Sequence, residues 1–121
     1  MIGIFLDDER FPVNATWMTY PEDIQWVVVR THAAFTHEVA KLIDQPLIIS
    51  FDHDLMDFDA DGREYTGYDG VKWLVDLCMD QDRPLPLCVF HTQNPVGRQN
   101  MESYYLNALR HLGGCQQRIS E

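Results

Sequence analysis

The chain has 121 residues, of which 45% are hydrophobic and 23% are charged, and its formal net charge at pH 7 is −10. This length suits one domain with its own hydrophobic core, so we expect residues 1–121 to form a single domain. The chain carries nineteen acidic residues against nine basic ones. This balance excludes nonspecific binding to duplex nucleic acid, which requires a basic surface.

The N-terminus and the cysteines predict a cytoplasmic protein. The first residues contain no basic segment and reach Asp7 and Asp8 almost at once, so we expect no signal peptide. No apolar run approaches the roughly 20 residues that a membrane span requires. The cysteines are odd in number and show no CxxC spacing, which favours reduced thiols.

Four short segments rich in β-branched or aromatic residues are predicted to be strands. They are Ile2–Leu6, Gln25–Arg30, Leu47–Phe51 and Leu87–Phe90. Each is a nearly continuous apolar run, which is typical of parallel strands that are covered on both faces.

Three further segments repeat apolar residues at helical spacing. The positions are Phe35, Val39, Leu42 and Ile43; Val71, Leu74, Val75 and Cys78; and Met101, Tyr105, Ala108, Leu109 and Leu112. Strands and helices alternate along the chain, which predicts an α/β domain with right-handed crossovers.

Three stretches break this alternation. Residues 10–23 contain Pro12 and Pro21 and predict a loop where a first helix would otherwise stand. Residues 56–70 are rich in Asp and Gly and predict a second long loop. Residues 114–121 form either a weak fifth strand or no regular structure.

The second loop has two interpretations. We expect it to act as a mobile lid, with Gly62, Gly67 and Gly70 as hinges. Its alternating Asp residues also imitate the start of a calcium-binding EF-hand loop. Tyr68 stands where that loop needs a bidentate Glu, which disfavours calcium.

Polar residues follow three of the predicted strands at their carboxyl ends. The runs are Asp7-Asp8-Glu9-Arg10, Asp52-His53-Asp54 and His91-Thr92-Gln93-Asn94. In an open parallel sheet, ligands bind outside the carboxyl ends of the strands. We therefore expect the three runs to converge on one site.

The carboxylates of these runs predict a metal site. Asp7, Asp8, Asp52 and Asp54 offer the hard oxygen ligands that Mg²⁺ or Mn²⁺ prefers. Such a cluster of like charges costs free energy unless a cation neutralises it. A plainer interpretation is that Asp7 or Asp8 only caps the turn that follows it.

Two other features have paired interpretations. His53 and His91 are candidates for proton transfer, because imidazole titrates near neutral pH, and the alternative is that they are structural. Asn94 and Arg98 open the last helical segment, where free N–H groups favour an anion and predict a phosphate site. The alternative there is an Asn cap beside a solvent-facing arginine.

Together these motifs resemble the receiver domain of response regulators, and more closely its divergent branch, the cyclic-phosphate processing receiver domain. The segments that carry the resemblance are Leu6-Asp7-Asp8-Glu9-Arg10, Ser50-Phe51-Asp52-His53-Asp54-Leu55, Gly67-Tyr68-Asp69, and His91-Thr92-Gln93-Asn94-Pro95-Val96-Gly97-Arg98 with Asn100-Met101. The family often has Ser where Thr92 stands, and this change keeps the hydroxyl. An ordinary receiver needs a lysine on its fifth strand, whereas Lys41 and Lys72 lie on helical patterns.

The resemblance implies a three-layer α/β/α, flavodoxin-like domain with a parallel sheet of four or five strands and a loop in place of the first helix. The favoured function is metal-dependent hydrolysis of a cyclic phosphate on a nucleotide or an RNA end. The expected site residues are Asp7, Asp8, Asp52 and Asp54 for the metal, His53, His91, Arg10 and Arg98 for catalysis, and Thr92, Asn94, Arg98 and Asn100 for the substrate. The alternatives are a divergent receiver with Asp52 or Asp54 as phosphoacceptor, and a non-catalytic domain that binds a phosphorylated ligand or a protein partner.

Overall fold

The computed structural model describes residues 1–112, and these contain six strands and three α-helices. The strands are β1 (Ile2–Leu6), β2 (Gln25–Val29), β3 (Leu47–Phe51), β4 (Asp54–Phe58), β5 (Glu64–Thr66) and β6 (Leu87–Phe90). The helices are α1 (His32–Leu42), α2 (Gly67–Asp80) and α3 (Pro95–Leu112). The expected fifth strand of the main sheet, at residues 114–121, lies outside the described residues.

The four strands expected from the sequence form one parallel sheet in the order β2-β1-β3-β6. Only the end of the second strand differs, because β2 stops at Val29 and not at Arg30. The chain runs from β1 outward to β2 and then crosses back to β3, so the topological switch point lies between β1 and β3. Asp7 and Asp52 directly follow these two strands, and a ligand site is expected there.

One hydrophobic core joins the sheet to all three helices. Alternate residues of the strands, such as Ile4 and Phe51, share this core with residues from each helix. The rings of Phe35 and Phe51 lie 5.4 Å apart, and those of Phe90 and Tyr105 lie 5.9 Å apart. Burial of each such side chain stabilises the fold by about 1.5–3 kcal/mol. Residues at the ends of a packed sheet are held more precisely than residues on loops.

The loop expected in place of a first helix is present, and its only regular element is a 3₁₀ turn at Pro12–Asn14. Side chains alternate between the two faces of a strand, so Phe5 lies on the face opposite Ile4 and the core. Tyr20 of the loop packs on Trp26 at 4.9 Å, and Trp26 packs on Phe5 at 5.8 Å. The loop therefore covers the second face of the sheet beside β1.

The structure contradicts the prediction of one long loop at residues 56–70. β4 and β5 form an antiparallel hairpin, and α2 already begins at Gly67. A register shift between Asp54 and Asp57 and the positive φ of Met56 (51°) mark a bulge in the hairpin. The bulge disturbs the alternation of apolar and polar residues from which a strand is predicted.

The glycines assigned as hinges differ in role. Gly67 and Gly70 are buried residues of α2. A Cβ at Gly67 would collide with the carbonyl oxygen of Asp52, and one at Gly70 would lie 3.3 Å from rings of the core. These two glycines allow close packing, and only Gly62, with φ of 80°, lies in a turn.

None of the helices within residues 1–112 is both long and apolar enough to cross a membrane.

Candidate functional site

A cleft of about 520 Å³ lies at the carboxyl ends of the central strands. The residues that line it come from the three polar runs that follow β1, β3 and β6, with one addition from the hairpin and one from α3. They are Asp8, Glu9, Arg10, Asp52, Asp54, Met56, Thr92, Gln93, Asn94 and Pro95. The structure thus brings together the three segments that the sequence predicted to converge.

Asp7 lies beneath this cleft and is fully buried. Its Oδ1 accepts hydrogen bonds from the backbone N–H groups of Glu9 (2.9 Å) and Arg10 (2.8 Å), and its Oδ2 lies 2.9 Å from Nε2 of His91. Burial alone would raise the pKa of Asp7. The hydrogen bonds from His91, Arg10 and Glu9 outweigh burial and lower the pKa to about 2. Asp7 does cap the turn after β1, as the plainer interpretation expected, and it also supplies a fixed negative charge.

That charge acts on the two carboxylates above it. Burial and the negative charge of Asp7 raise the pKa of Asp52, which is 5% exposed, and the same two causes raise the pKa of Asp8. Raised carboxyl pKa values mean that the cluster is electrostatically unfavourable in the absence of a cation. The site therefore has the charge pattern that attracts one.

The donor atoms also fit a cation. One ligand atom each from Asp7, Asp52 and His91 lies within 4.8 Å of the others. Both nitrogens of His91 are already hydrogen-bonded, Nδ1 to Ser50 Oγ at 2.7 Å and Nε2 to Asp7. Carboxylate oxygens are then the available ligands, and an all-oxygen set suits Mg²⁺ or Mn²⁺.

His91 does not reach the cleft. Its side chain is 0% exposed, and its ring stacks on Phe5 with centroids 4.2 Å apart. The indole N–H of Trp17 donates to its backbone carbonyl at 2.9 Å. His91 therefore makes no direct contact with a ligand in the cleft and acts through the residues beside it, above all Asp7.

His53 lies at the edge of the cleft with its partners. Its Nδ1 is 2.9 Å from Oδ1 of Asp54, and this hydrogen bond lowers the pKa of Asp54, with a contribution from the Asn94 amide at 3.3 Å. The ring packs on α3, where a Cβ at Gly97 would meet it at 2.5 Å. The absence of a side chain at Gly97 thus makes room for His53.

Arg10 lines the cleft beside the carboxylates. Its guanidinium lies 3.7 Å from Oδ2 of Asp7, donates to Gln93 at 3.4 Å, and lies over the ring of Trp17 at 5.3 Å. One third of the side chain is exposed, at 33%. A positive charge therefore remains accessible beside the carboxylates.

Besides His91, two expected site residues on α3 are not among those that line the cleft. Arg98 pairs with Glu102 at 3.6 Å and lines a separate cavity of about 240 Å³ together with Met18. Asn100 is exposed on α3 and is not among the residues that line the cleft. The Asn cap of the plainer interpretation is present, since Asn94 Oδ1 accepts the backbone N–H of Gly97 at 3.0 Å.

Several site residues were not predicted from the sequence. Glu9 and Gln93 line the cleft, and both lie inside the polar runs that signalled it. Ser50 contacts His91 from within β3 and had no signal beyond its place in the family motif. Nothing in the sequence indicated that Met56 or Tyr20 belongs to the site.

A parallel sheet flanked by helices, with an acidic cleft at its topological switch point, defines a receiver-like domain. The sequence profile of the cyclic-phosphate processing receiver domain matches residues 2–107, and the chain belongs to this family. Comparisons with curated proteins and with solved structures gave no match.

Proposed function

We propose that this domain is a metal-dependent phosphoesterase that acts on a cyclic phosphate of a nucleotide or an RNA end. One observation carries the proposal: Asp7, Asp8 and Asp52 meet at the cleft, where burial and the charge of Asp7 raise the pKa values of the other two. Membership of a cyclic-phosphate processing family supports the choice of substrate.

Asp7, Asp8 and Asp52 would hold Mg²⁺ or Mn²⁺, with Asp7 beneath the cleft and Asp54 at its edge. A bound cation of this kind polarises a phosphoryl oxygen and supplies the positive charge that an acidic cleft lacks. Like charges that are unfavourable in the metal-free protein become favourable once a cation is present, which is why the cluster supports a metal site.

The chain's own residues bind and orient the phosphate. The guanidinium of Arg10 is partly exposed beside the carboxylates and can form charge-assisted hydrogen bonds to phosphoryl oxygens. Thr92 and Asn94 add a hydroxyl and an amide to the same cleft. Together they hold the phosphate in one orientation, and orientation is a major source of rate enhancement.

His53 is the residue that exchanges a proton with the substrate in this proposal. Asp54 accepts a hydrogen bond from Nδ1 of His53, which leaves Nε2 of the neutral ring as the free base. His91 is buried with both nitrogens engaged, so we assign it to the support of Asp7.

The location of the lysines disfavours the receiver alternative. Lys41 pairs with Glu38 on α1, and Lys72 pairs with Asp69 on α2. They are the chain's only lysines. An ordinary receiver needs a lysine at its site, and neither of these lines the cleft.

The proposal is tested by incubating the purified protein with Mn²⁺ and a panel of 2′,3′-cyclic and 3′,5′-cyclic nucleotides and an RNA oligomer that ends in a 2′,3′-cyclic phosphate. We expect ³¹P NMR to show metal-dependent loss of a cyclic-phosphate resonance. EDTA and Asp52→Asn should abolish that loss, whereas Asp76→Asn, at an exposed position of α2, should not.

Three outcomes would contradict the proposal. Tight binding of a panel member without turnover would identify a non-catalytic binder. Stable phosphorylation of Asp52 or Asp54 by acetyl phosphate would identify a divergent receiver. Absence of both binding and turnover across the panel would remove the substrate class.

A further inference from the structure

A chain of hydrogen bonds runs from the loop at residues 10–23 through the sheet to the candidate metal site. Tyr20 Oη lies 2.7 Å from Ser50 Oγ, and Ser50 Oγ lies 2.7 Å from Nδ1 of His91. Nε2 of the same ring lies 2.9 Å from Oδ2 of Asp7. Ser50, His91 and Asp7 are each 0% exposed, so water does not compete for the contacts among these three.

The protons of this chain have one arrangement that is consistent with a neutral His91 ring. An ionised Asp7 only accepts hydrogen bonds, so Nε2 of His91 carries a proton and donates it. In the neutral ring Nδ1 is then an acceptor, and the Ser50 hydroxyl donates to it. The Ser50 oxygen in turn accepts from Tyr20. Burial and the charge of Asp7 raise the pKa of Tyr20, which keeps its hydroxyl protonated and able to donate.

We propose that Tyr20 and Ser50 are positioning residues of the metal site, which hold His91 in the form that donates through Nε2 and thereby fix the carboxylate of Asp7. This inference rests on the proposed function, because it assigns a purpose to Asp7 at the metal. The two hydroxyls touch neither metal nor substrate and act through His91. Hydrogen-bonding partners of metal ligands typically change metal affinity about 10- to 100-fold when they are removed.

The loop that replaces a first helix supplies two contacts of this chain. It places Tyr20 against Ser50, and the indole N–H of Trp17 donates to the carbonyl of His91. Phe5 closes the third side of the ring by stacking on it. A loop can place two such side chains against the sheet within a few residues, and it thus contributes to the site from the face opposite the core.

A purely structural role is the competing explanation, because buried polar groups need hydrogen-bond partners in any protein. The two explanations differ in what they predict for His91 and for metal affinity. If the role is purely structural, loss of the Tyr20 hydroxyl lowers stability but leaves the protonation of the His91 ring and the metal affinity unchanged.

The first measurement is the imidazole ¹⁵N spectrum of His91 in the metal-free protein, which distinguishes protonated from unprotonated ring nitrogens. We expect a proton on Nε2, and we expect the Nδ1 resonance to shift in Tyr20→Phe. An unprotonated Nε2 would overturn the inference, because His91 could then not donate to Asp7.

The second measurement is Mn²⁺ affinity. We expect Ser50→Ala to weaken it by up to about 10-fold, the lower end of the effect of a direct partner of a ligand, because Ser50 acts through His91. Tyr20→Phe should weaken it less, and Ser50→Thr should restore it by returning the hydroxyl. Tyr104→Phe is the matched control, since the Tyr104 ring packs on Tyr68 of α2. Melting temperatures measured on all variants separate loss of affinity from loss of fold.

The outcomes separate this inference from the function on which it rests. Wild-type protein that binds Mn²⁺ but hydrolyses nothing refutes the proposed function alone. Folded Ser50→Ala and Tyr20→Phe proteins with wild-type affinity refute the inference alone. Wild-type protein that binds no Mn²⁺ refutes both.

Discussion

Asp52 is less stable as a carboxylate in the folded protein than in the unfolded chain, because burial and the charge of Asp7 raise its pKa above the ordinary 3.8. The sign of its contribution to stability follows from linkage. A carboxyl with a raised folded pKa contributes most below its unfolded value, and this contribution is lost as pH rises through the folded pKa. At neutral pH without metal, Asp52 therefore destabilises the protein.

The first prediction is that Asp52→Asn raises the melting temperature at pH 7 in EDTA. Asn keeps an oxygen to accept the N–H of His53, which Asp52 Oδ1 accepts at 2.9 Å, so the change removes mainly the charge. The gain should vanish at about pH 3, where the wild-type carboxyl is protonated in both states.

Asp76→Asn is the control for this charge effect, since Asp76 is exposed on α2, and it should leave the melting temperature nearly unchanged. If Asp52→Asn lowers the melting temperature at pH 7 in EDTA, the electrostatic account of the site is wrong.

The second prediction compares the two arginines that the sequence assigned to phosphate. In the presence of Mn²⁺, Arg10→Ala should weaken binding of a nucleoside 3′-monophosphate about 10- to 100-fold, as expected for the loss of a charge-assisted hydrogen bond. Arg98→Ala removes the same charge at a separate cavity and should change affinity little. Calorimetric titration measures both. An equal loss for the two variants would show that the phosphate is bound elsewhere than the cleft.

At the scale of elements, the sequence predicted what depends on local pattern. The strands of the main sheet are continuous apolar runs, and the helices repeat apolar residues along one face, so both could be found without tertiary information. The hairpin at β4 and β5 could not be found, because the bulge at Met56 breaks the alternation that signals a strand.

Some residues of the candidate site could likewise be predicted from the sequence, and others could not. Asp8, Asp52 and Thr92 lie at strand ends, whose convergence follows from parallel topology. Ser50 could not be assigned, because its contact with His91 depends on the register that places it beside Phe5. The placement of Arg98 at a separate cavity could not be predicted, because the direction of a side chain at a helix start depends on packing, which sequence spacing does not reveal.

The third prediction concerns the junction of α2 with the site. The N–H of Gly67 donates to the carbonyl of His53 at 2.7 Å, and its Cα lies against the carbonyl of Asp52. Gly67→Ala should therefore cost about 1–3 kcal/mol of unfolding free energy, as overpacking does. It should also weaken Mn²⁺ binding, because it moves the backbone of Asp52. Urea unfolding and metal titration measure the two effects.

Gly62→Asn is the control for this substitution. Gly62 has φ of 80° and no neighbour within 4 Å of an added Cβ, and Asn tolerates the left-handed conformation. It should fold and bind metal like wild type. If Gly67→Ala also behaves like wild type, the helix start does not constrain Asp52.

At the scale of the whole molecule, the net charge of −10 opposes the approach of any phosphate. The cleft itself holds more acidic residues than basic ones, and Arg10 is the arginine that lines it. This charge balance supports the proposal that a divalent cation accompanies a phosphate ligand at the cleft, and divalent-metal binding is the condition on which the proposed chemistry depends.

The most direct test of this account is calorimetric titration of Mn²⁺ into metal-free protein. We expect wild type to bind one ion per protein, and we expect the same of Asp61→Asn, which removes an exposed carboxylate from the hairpin turn. Asp52→Asn should bind none. Asp52→Asn protein that binds Mn²⁺ with wild-type affinity and stoichiometry would contradict it.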